Sequence, residues 1–170
     1  MLFRSLAVGD RLVAAGRANR IGVWDLDSGE LLRAHTFPES ALAMSGLVDV
    51  QALAITDGGR VLVGLHSKRV LFRMHLGDGC EEVSAVTVPG GILHLVHHPV
   101  REVAWAGTYL GEILCLDTRR GEVLRSFRAH RARIVAMEIS PDGRWLVTAA
   151  DDHQLLLWDT QAIGPDAADA

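Results

Sequence analysis

Residues 135–159, VAMEISPDGRWLVTAADDHQLLLWD, decide the fold, because the chain contains their pattern more than once. Residues 51–75, QALAITDGGRVLVGLHSKRVLFRMH, align with them without a gap at an offset of 84, and residues 93–117, LHLVHHPVREVAWAGTYLGEILCLD, fall midway at 42. Under the longer shift Ala52, Ile55, Gly59, Arg60, Leu62, Val63 and Leu71 recur as Ala136, Ile139, Gly143, Arg144, Leu146, Val147 and Leu155. A period of this size marks stacked units, none of which can bury a core alone.

Within each unit the apolar residues come in short runs of strand length broken by glycine-centred turns, and no stretch keeps helical spacing beyond about two turns. In the last unit Ile134–Ile139 reads as one strand, Ser140-Pro141-Asp142-Gly143 as a tight turn and Arg144–Ala149 as the hairpin partner. Proline presets φ at the second turn position and glycine tolerates a positive φ at the end, so this link is chemically specified. Asp151-Asp152-His153 then leads into a third strand, Gln154–Trp158. Thr56-Asp57-Gly58-Gly59 is the matching turn of the second unit, whereas His98-Pro99-Val100-Arg101 in the third keeps only the proline. A fourth strand follows at Gly121–Arg128, which alternates apolar and polar as an edge strand with one buried face should. Its counterparts are Ser28–Arg33 in the first unit and Glu81–Val88 in the second. From Trp24 to Met74 the spacing is 50 residues instead of 42, which places eight extra residues in the loop Thr36–Val48.

Four units of three or four short antiparallel strands describe an all-β chain built of blades. At Ser140-Pro141-Asp142-Gly143, Ala149-Ala150-Asp151-Asp152 and Leu157-Trp158-Asp159 the chain resembles the WD-repeat β-propeller family. The Trp-Asp pair recurs at Trp24-Asp25, degenerates to Leu116-Asp117 and Met74-His75, and the Gly-His element of the family survives as Ala129-His130. The resemblance implies blades of four-stranded sheets at about 1–35, 49–88, 91–128 and 130–160, followed by a flexible tail at 161–170. It also implies a structural relay of His130, Thr148, Asp152 and Trp158 bracing the last blade, and all four residue types are right. Thr148, His130 and Asp152 have the chemistry of a hydrolytic triad as well, but they coincide with a motif whose hydroxyl is buried in a strand. The other units carry Ala14, Gly64 and Ala106 at the Thr148 position and Ala18, Lys68 and Leu110 at the Asp152 position, which marks a divergent member.

Composition narrows the function classes. A formal charge of −4 and a pI near 6.0 give no global attraction to nucleic acid or anionic lipid. Cys80 and Cys115 have the spacing of neither a metal knuckle nor a redox pair, which fits a reducing, cytoplasmic setting. Arg4, Asp10 and Arg11 interrupt the opening residues, against a secretory signal, and no run approaches the ~20 apolar residues of a membrane span. His94, His97 and His98 are the one dense histidine cluster, but strand alternation splits them between two faces, so no metal site is expected. They read instead as histidines at the solvated end of a strand. Arg119, Arg120, Arg125, Arg128, Arg131 and Arg133 crowd one span and read as a solvated face or as a docking patch for an acidic partner. Trp105 and Trp145 read as blade-packing residues. There is no phosphate-binding glycine loop, HExxH helix or CxxC pair, and no cofactor is expected.

The expected function is a non-catalytic protein-interaction scaffold. As the resemblance implies, the loops that precede each first strand and join second to third share one face, which carries Arg17, Asn19, His66, Lys68, Tyr109, Arg131 and Arg133 as a candidate protein-binding surface. The opposite face collects Asp10, Asp27, Asp57, Asp78 and Asp142. Two rivals stand beside this reading: a propeller enzyme with a site at the central channel, where His94 and Glu138 are the polar exceptions in the first strands, and a sensor segment of a larger signalling protein. Blade four lacks a fourth strand, because Thr160–Ala170 cannot supply one, and ends on an apolar edge that invites pairing. Either two copies therefore join as four plus four blades, or the segment belongs to a larger propeller, with a closed four-bladed monomer as the remaining arrangement.

Overall fold

The computed structural model describes residues 5–8, 12–17, 20–36, 50–56, 60–65, 70–75, 84–87 and 90–165. Their strands form four antiparallel sheets in chain order. Blade 1 is β1 (Ser5–Val8), β2 (Leu12–Arg17), β3 (Arg20–Asp25) and β4 (Leu31–Thr36), and blade 2 is β5 (Val50–Ile55), β6 (Arg60–Leu65), β7 (Val70–His75) and β8 (Ser84–Thr87). Blade 3 is β9 (Ile92–His97), β10 (Val103–Thr108), β11 (Glu112–Asp117) and β12 (Val123–Arg128). Blade 4 has three strands, β13 (Ile134–Ile139), β14 (Trp145–Ala150) and β15 (Leu155–Asp159), followed by one helical turn, α1 (Thr160–Ile163).

First strands do the stacking: β1 packs on β5, β5 on β9 and β9 on β13. No comparable contact joins β13 back to β1 among the described residues, so the four blades form an open row. Strand alternation sends successive side chains to opposite blade faces. Blade 3 therefore offers Ile92, Leu95, Ala104, Leu114 and Leu116 to Ala52 and Ala54 of blade 2. Its other face gives Val103, Trp105, Ile113 and Cys115 to Ile134, Met137 and Leu146 of blade 4. Sandwiched in this way, β10 is buried at every position. In blade 4 only one face is covered, and β14 alternates between exposed or half-buried and buried residues along its length.

The fourth strands begin later than the sequence pattern puts them, at Leu31 rather than Ser28 and at Val123 rather than Gly121. The Gly-Glu pair belongs to the turn. Asp25 Oδ1 accepts the amides of Asp27 and Ser28, Asp117 Oδ1 those of Arg119 and Arg120, and Gly29 and Gly121 close the hairpins at φ +71° and +74°. The tail read from residue 161 opens with α1 instead of an unstructured run. Asp159 caps that turn by accepting the Gln161 amide at 2.9 Å, as Asp25 and Asp117 cap theirs. Forty-two residues after Gly121, however, stands Ile163. A β-branched residue resists the left-handed conformation that closes the hairpin, so the chain makes a helical turn in place of a fourth strand. Ile163 packs into the blade 3–blade 4 core, and the carbonyl of Gly164 accepts from Arg125 of blade 3 at 3.5 Å. The loop carrying the extra eight residues, the turn Thr56–Gly59 beyond Thr56 itself and the ends of the Glu81–Val88 strand lie outside the described residues.

Candidate functional site

The structure brings His130, Thr148, Asp152 and Trp158 together at the loop end of blade 4. Trp158 Nε1–H donates to Thr148 Oγ1 at 3.0 Å, and His130 Nδ1–H donates to the Asp152 carboxylate at 3.1 and 3.2 Å. With Nδ1 committed as donor, Nε2 is left to accept the Thr148 hydroxyl proton at 2.8 Å, the one tautomer that satisfies every group. Thr148 is 0% exposed and His130 2%, so the hydroxyl cannot meet a substrate. Phe127 of blade 3 meets the Trp158 ring edge-on, with centroids 5.4 Å apart. At the outer end of the relay Asp152 also accepts the backbone amides of Arg131 at 2.9 Å and Gln154 at 3.1 Å. The Arg131 amide, followed by that of Gln154 and the His130 ring, holds the Asp152 carboxyl below the usual aspartate range.

The loops around this relay form the described part of the candidate binding face. The β12–β13 loop is tied to the β10–β11 turn, since the amides of Ala129 and His130 both donate to the Gly111 carbonyl and Arg128 reaches the Leu110 carbonyl at 3.3 Å. Gly111 sits at φ +79°, and a side chain there would press on the carbonyls of His130 and Ala132. Tyr109 is half exposed, and Arg131 and Arg133 point to solvent. Arg133 is paired with the Asp151 carboxylate. Arg17 lies in β2 with its side chain outside the described residues, as do Asn19, His66 and Lys68 altogether. Asp27 and Asp142 are exposed at the opposite end, and Asp10, Asp57 and Asp78 lie outside the described residues. The opposite end also carries Arg119, bridged to Glu102 at 3.3 Å, so both faces mix signs among the described residues. The arginine run is scattered accordingly, from Arg119 at one face to Arg131 at the other.

Two side chains, His98 and Trp145, depart from their sequence reading. His98 is not at a solvated strand end: it is buried at the Pro99 turn, where Nδ1 accepts the amides of Val100 and Arg101, each at 3.1 Å. Burial and the neighbouring Arg101 push its pKa below the ordinary histidine value. The 42-residue shift pairs His98 with Ser140, whose hydroxyl accepts the Trp145 amide at 2.9 Å in the matching turn. A histidine thus supplies the turn acceptor, and its ring fills the space over Gly143, where a Cβ would collide with it. Trp145 is 36% exposed on the uncovered face of blade 4, with the Arg144 guanidinium 4.9 Å above its ring, rather than packed between blades like Trp105. Register also corrects the relay's lost counterparts. Thr148 pairs with Leu156, two residues before Trp158. The same place is held in blade 1 by Ala15, opposite Gly22, and in blade 2 by Val63, opposite Phe72; Ala14 and Gly64 are one residue away. In β9 burial holds the His94 pKa down, against the attraction of Glu138 across the blade boundary. Among the described residues no group of three or more metal-ligating side chains converges, and no helix is long and apolar enough to cross a membrane.

Four-stranded antiparallel blades stacked through their first strands, with an Asp-capped turn after the third, define a segment of a β-propeller. The family described as "WD domain, G-beta repeat" matches residues 121–159, the blade that holds the relay. The chain is 26% identical over 159 residues to the serine-threonine kinase receptor-associated protein of Gallus gallus, covering 87% of this chain and 45% of that protein. It spans less than half the length of the curated relatives with that name. Among solved structures, a chain in the crystal structure of a Mitotic Checkpoint Complex superposes at a TM-score of 0.78 with 19% identity, over 96% of this chain and 48% of the other. The computationally designed Ika4 protein matches at 0.68 and 24% identity, over 93% of this chain and 91% of its own. The designed Ika8 protein matches at 0.66 and 25% identity, over 92% of this chain and 45% of its own. The chain is thus similar to WD-repeat proteins, and the match to the family model falls on its last blade.

Proposed function

We propose that this propeller segment is a protein-interaction scaffold without catalytic activity, and that the loop face around Tyr109, Arg131 and Arg133 docks a partner carrying acidic groups. The observation that carries the reading is the relay: the loop presenting Arg131 is anchored through its own amide to Asp152, and Asp152 through His130 to the buried Thr148. A charge held on so rigid a loop costs little ordering on binding, which favours recognition. Arg17, Asn19, His66 and Lys68 extend the same face in this reading, and its cytoplasmic setting follows the cysteine usage. Capture of a partner by the intact protein, identification by mass spectrometry and titration of the two purified proteins test it. Reversing Arg131 and Arg133 to Glu is expected to weaken binding and flatten its salt dependence while leaving the circular dichroism spectrum unchanged, since exposed charges are screened over ~8 Å at physiological ionic strength. Undiminished affinity in the double variant would move the interface to another face.

A further inference from the structure

The face of blade 4 turned away from blade 3 repeats, one unit later, a surface that the molecule itself uses. On blade 3, Val103, Trp105, Ile113 and Cys115 are no more than 7% exposed because blade 4 covers them. The 42-residue shift carries these positions to Trp145, Val147, Leu155 and Leu157. Strand register places the four on one face: Val147 pairs with Leu157, and Ala149, two residues further along β14, pairs with Leu155. Leu155 is 71% exposed, Leu157 59% and Trp145 36%. Three large apolar side chains with the spacing of a blade-to-blade contact are thus uncovered by any blade among the described residues.

At the other end of the row no preceding blade packs on blade 1 among the described residues. Ile21 and Val23 of β3 are buried at 2% and 1%, whereas Gly22 and Trp24, on the alternate face, are half-buried. The Trp24 ring lies so close over Gly22 that a Cβ there would collide with it. In blades 3 and 4 the matching residues, Leu116 and Trp158, are the ones that pack against the preceding blade. One end of the row therefore carries the outgoing half of a blade contact and the other end the incoming half.

We propose that the open face of blade 4 docks on blade 1 of a second copy of this chain, and that the second copy's blade 4 docks on blade 1 of the first, closing a two-fold ring of eight blades. A head-to-tail contact closes only if the rotation per blade fits a whole number of units. This structure superposes on 45% of the Ika8 chain, which is about twice its length, so two copies of this chain would match that length. The likeness to Ika4 shows the same fold in a solved chain of nearly this length.

Native mass spectrometry and light scattering on the purified chain at micromolar concentration test the proposal without any other protein, so the outcome is independent of the scaffold reading. The expected mass is twice the 18.4 kDa of one chain. Val147→Glu with Leu157→Glu, both on the uncovered face, is expected to halve that mass with an unchanged circular dichroism spectrum. Hydrogen exchange of the parent across a dilution series provides the second readout, with amides of both β14–β15 and β3 losing protection together on dilution. A parent chain that stays monomeric would overturn the proposal and leave the face to blades outside these residues. A series of larger assemblies, or protection at β14–β15 without β3, would overturn the closed ring or the blade 1 contact respectively.

Discussion

Thr148 serves two partners with one buried hydroxyl, accepting from the Trp158 indole and donating to the His130 ring. Replacing it by Val keeps the shape and removes both bonds. Each buried polar group left without a partner costs ~1–3 kcal/mol, so Thr148→Val is expected to lower the urea midpoint of the purified chain markedly, while Thr148→Ser holds near the parent. Equal midpoints for all three would show that the relay does not brace the blade. The four relay types are legible in the sequence because the last unit keeps the family spacing intact. Their lost counterparts are not, because a strand turns over every residue: a slip of one moves a position to the other face. That slip separates Ala14 from Ala15. His98 shows another limit, since a ring nitrogen replacing a serine hydroxyl as turn acceptor leaves no pattern of like residues to find.

Glycine at one position decides whether a blade acquires its outer strand. Gly29 and Gly121 adopt positive φ after an Asp-capped turn, and β4 and β12 follow; Ile163 stands where Gly121 would recur, and α1 follows. A non-glycine residue in that left-handed conformation costs ~1–2 kcal/mol, and β-branching adds crowding. Gly121→Val is therefore expected to loosen β12 selectively. In hydrogen exchange the amides of Val123–Arg128 should lose protection while those of β10 and β11 keep theirs. Protection unchanged across β12 would mean that ladder pairing alone sets the hairpin. Strand existence and order were readable from alternating apolar runs, and β13 falls on its sequence bounds. The starts of the fourth strands were not, because Gly-Glu satisfies an alternation pattern while its backbone is already spent in the turn.

At the scale of the whole molecule, stability comes from blade stacking, and two tryptophans on corresponding faces allow it to be measured. Trp105 is 1% exposed between blades 3 and 4, and Trp145 is 36% exposed on the face that no blade covers among the described residues. The 42-residue period made the number of units legible, and the missing fourth strand showed in the composition after Asp159. What covers the open face was not legible, because it depends on surfaces at opposite ends of the row. Trp105→Ala removes a side chain from a closed interface and is expected to cost ~3–5 kcal/mol, whatever the protein concentration. Trp145→Ala should behave differently. In dilute solution its side chain contributes little, so the variant should melt close to the parent. As concentration rises, association stabilises the parent by mass action, and the gap between parent and Trp145→Ala should widen while that between parent and Trp105→Ala, measured in dilute solution, already stands at its full size. Thermal midpoints across a dilution series read both effects at once. A parent midpoint independent of concentration would leave Trp145 a solvent-facing residue, and an unaltered midpoint for Trp105→Ala would mean that blades 3 and 4 are held by something other than their shared apolar face.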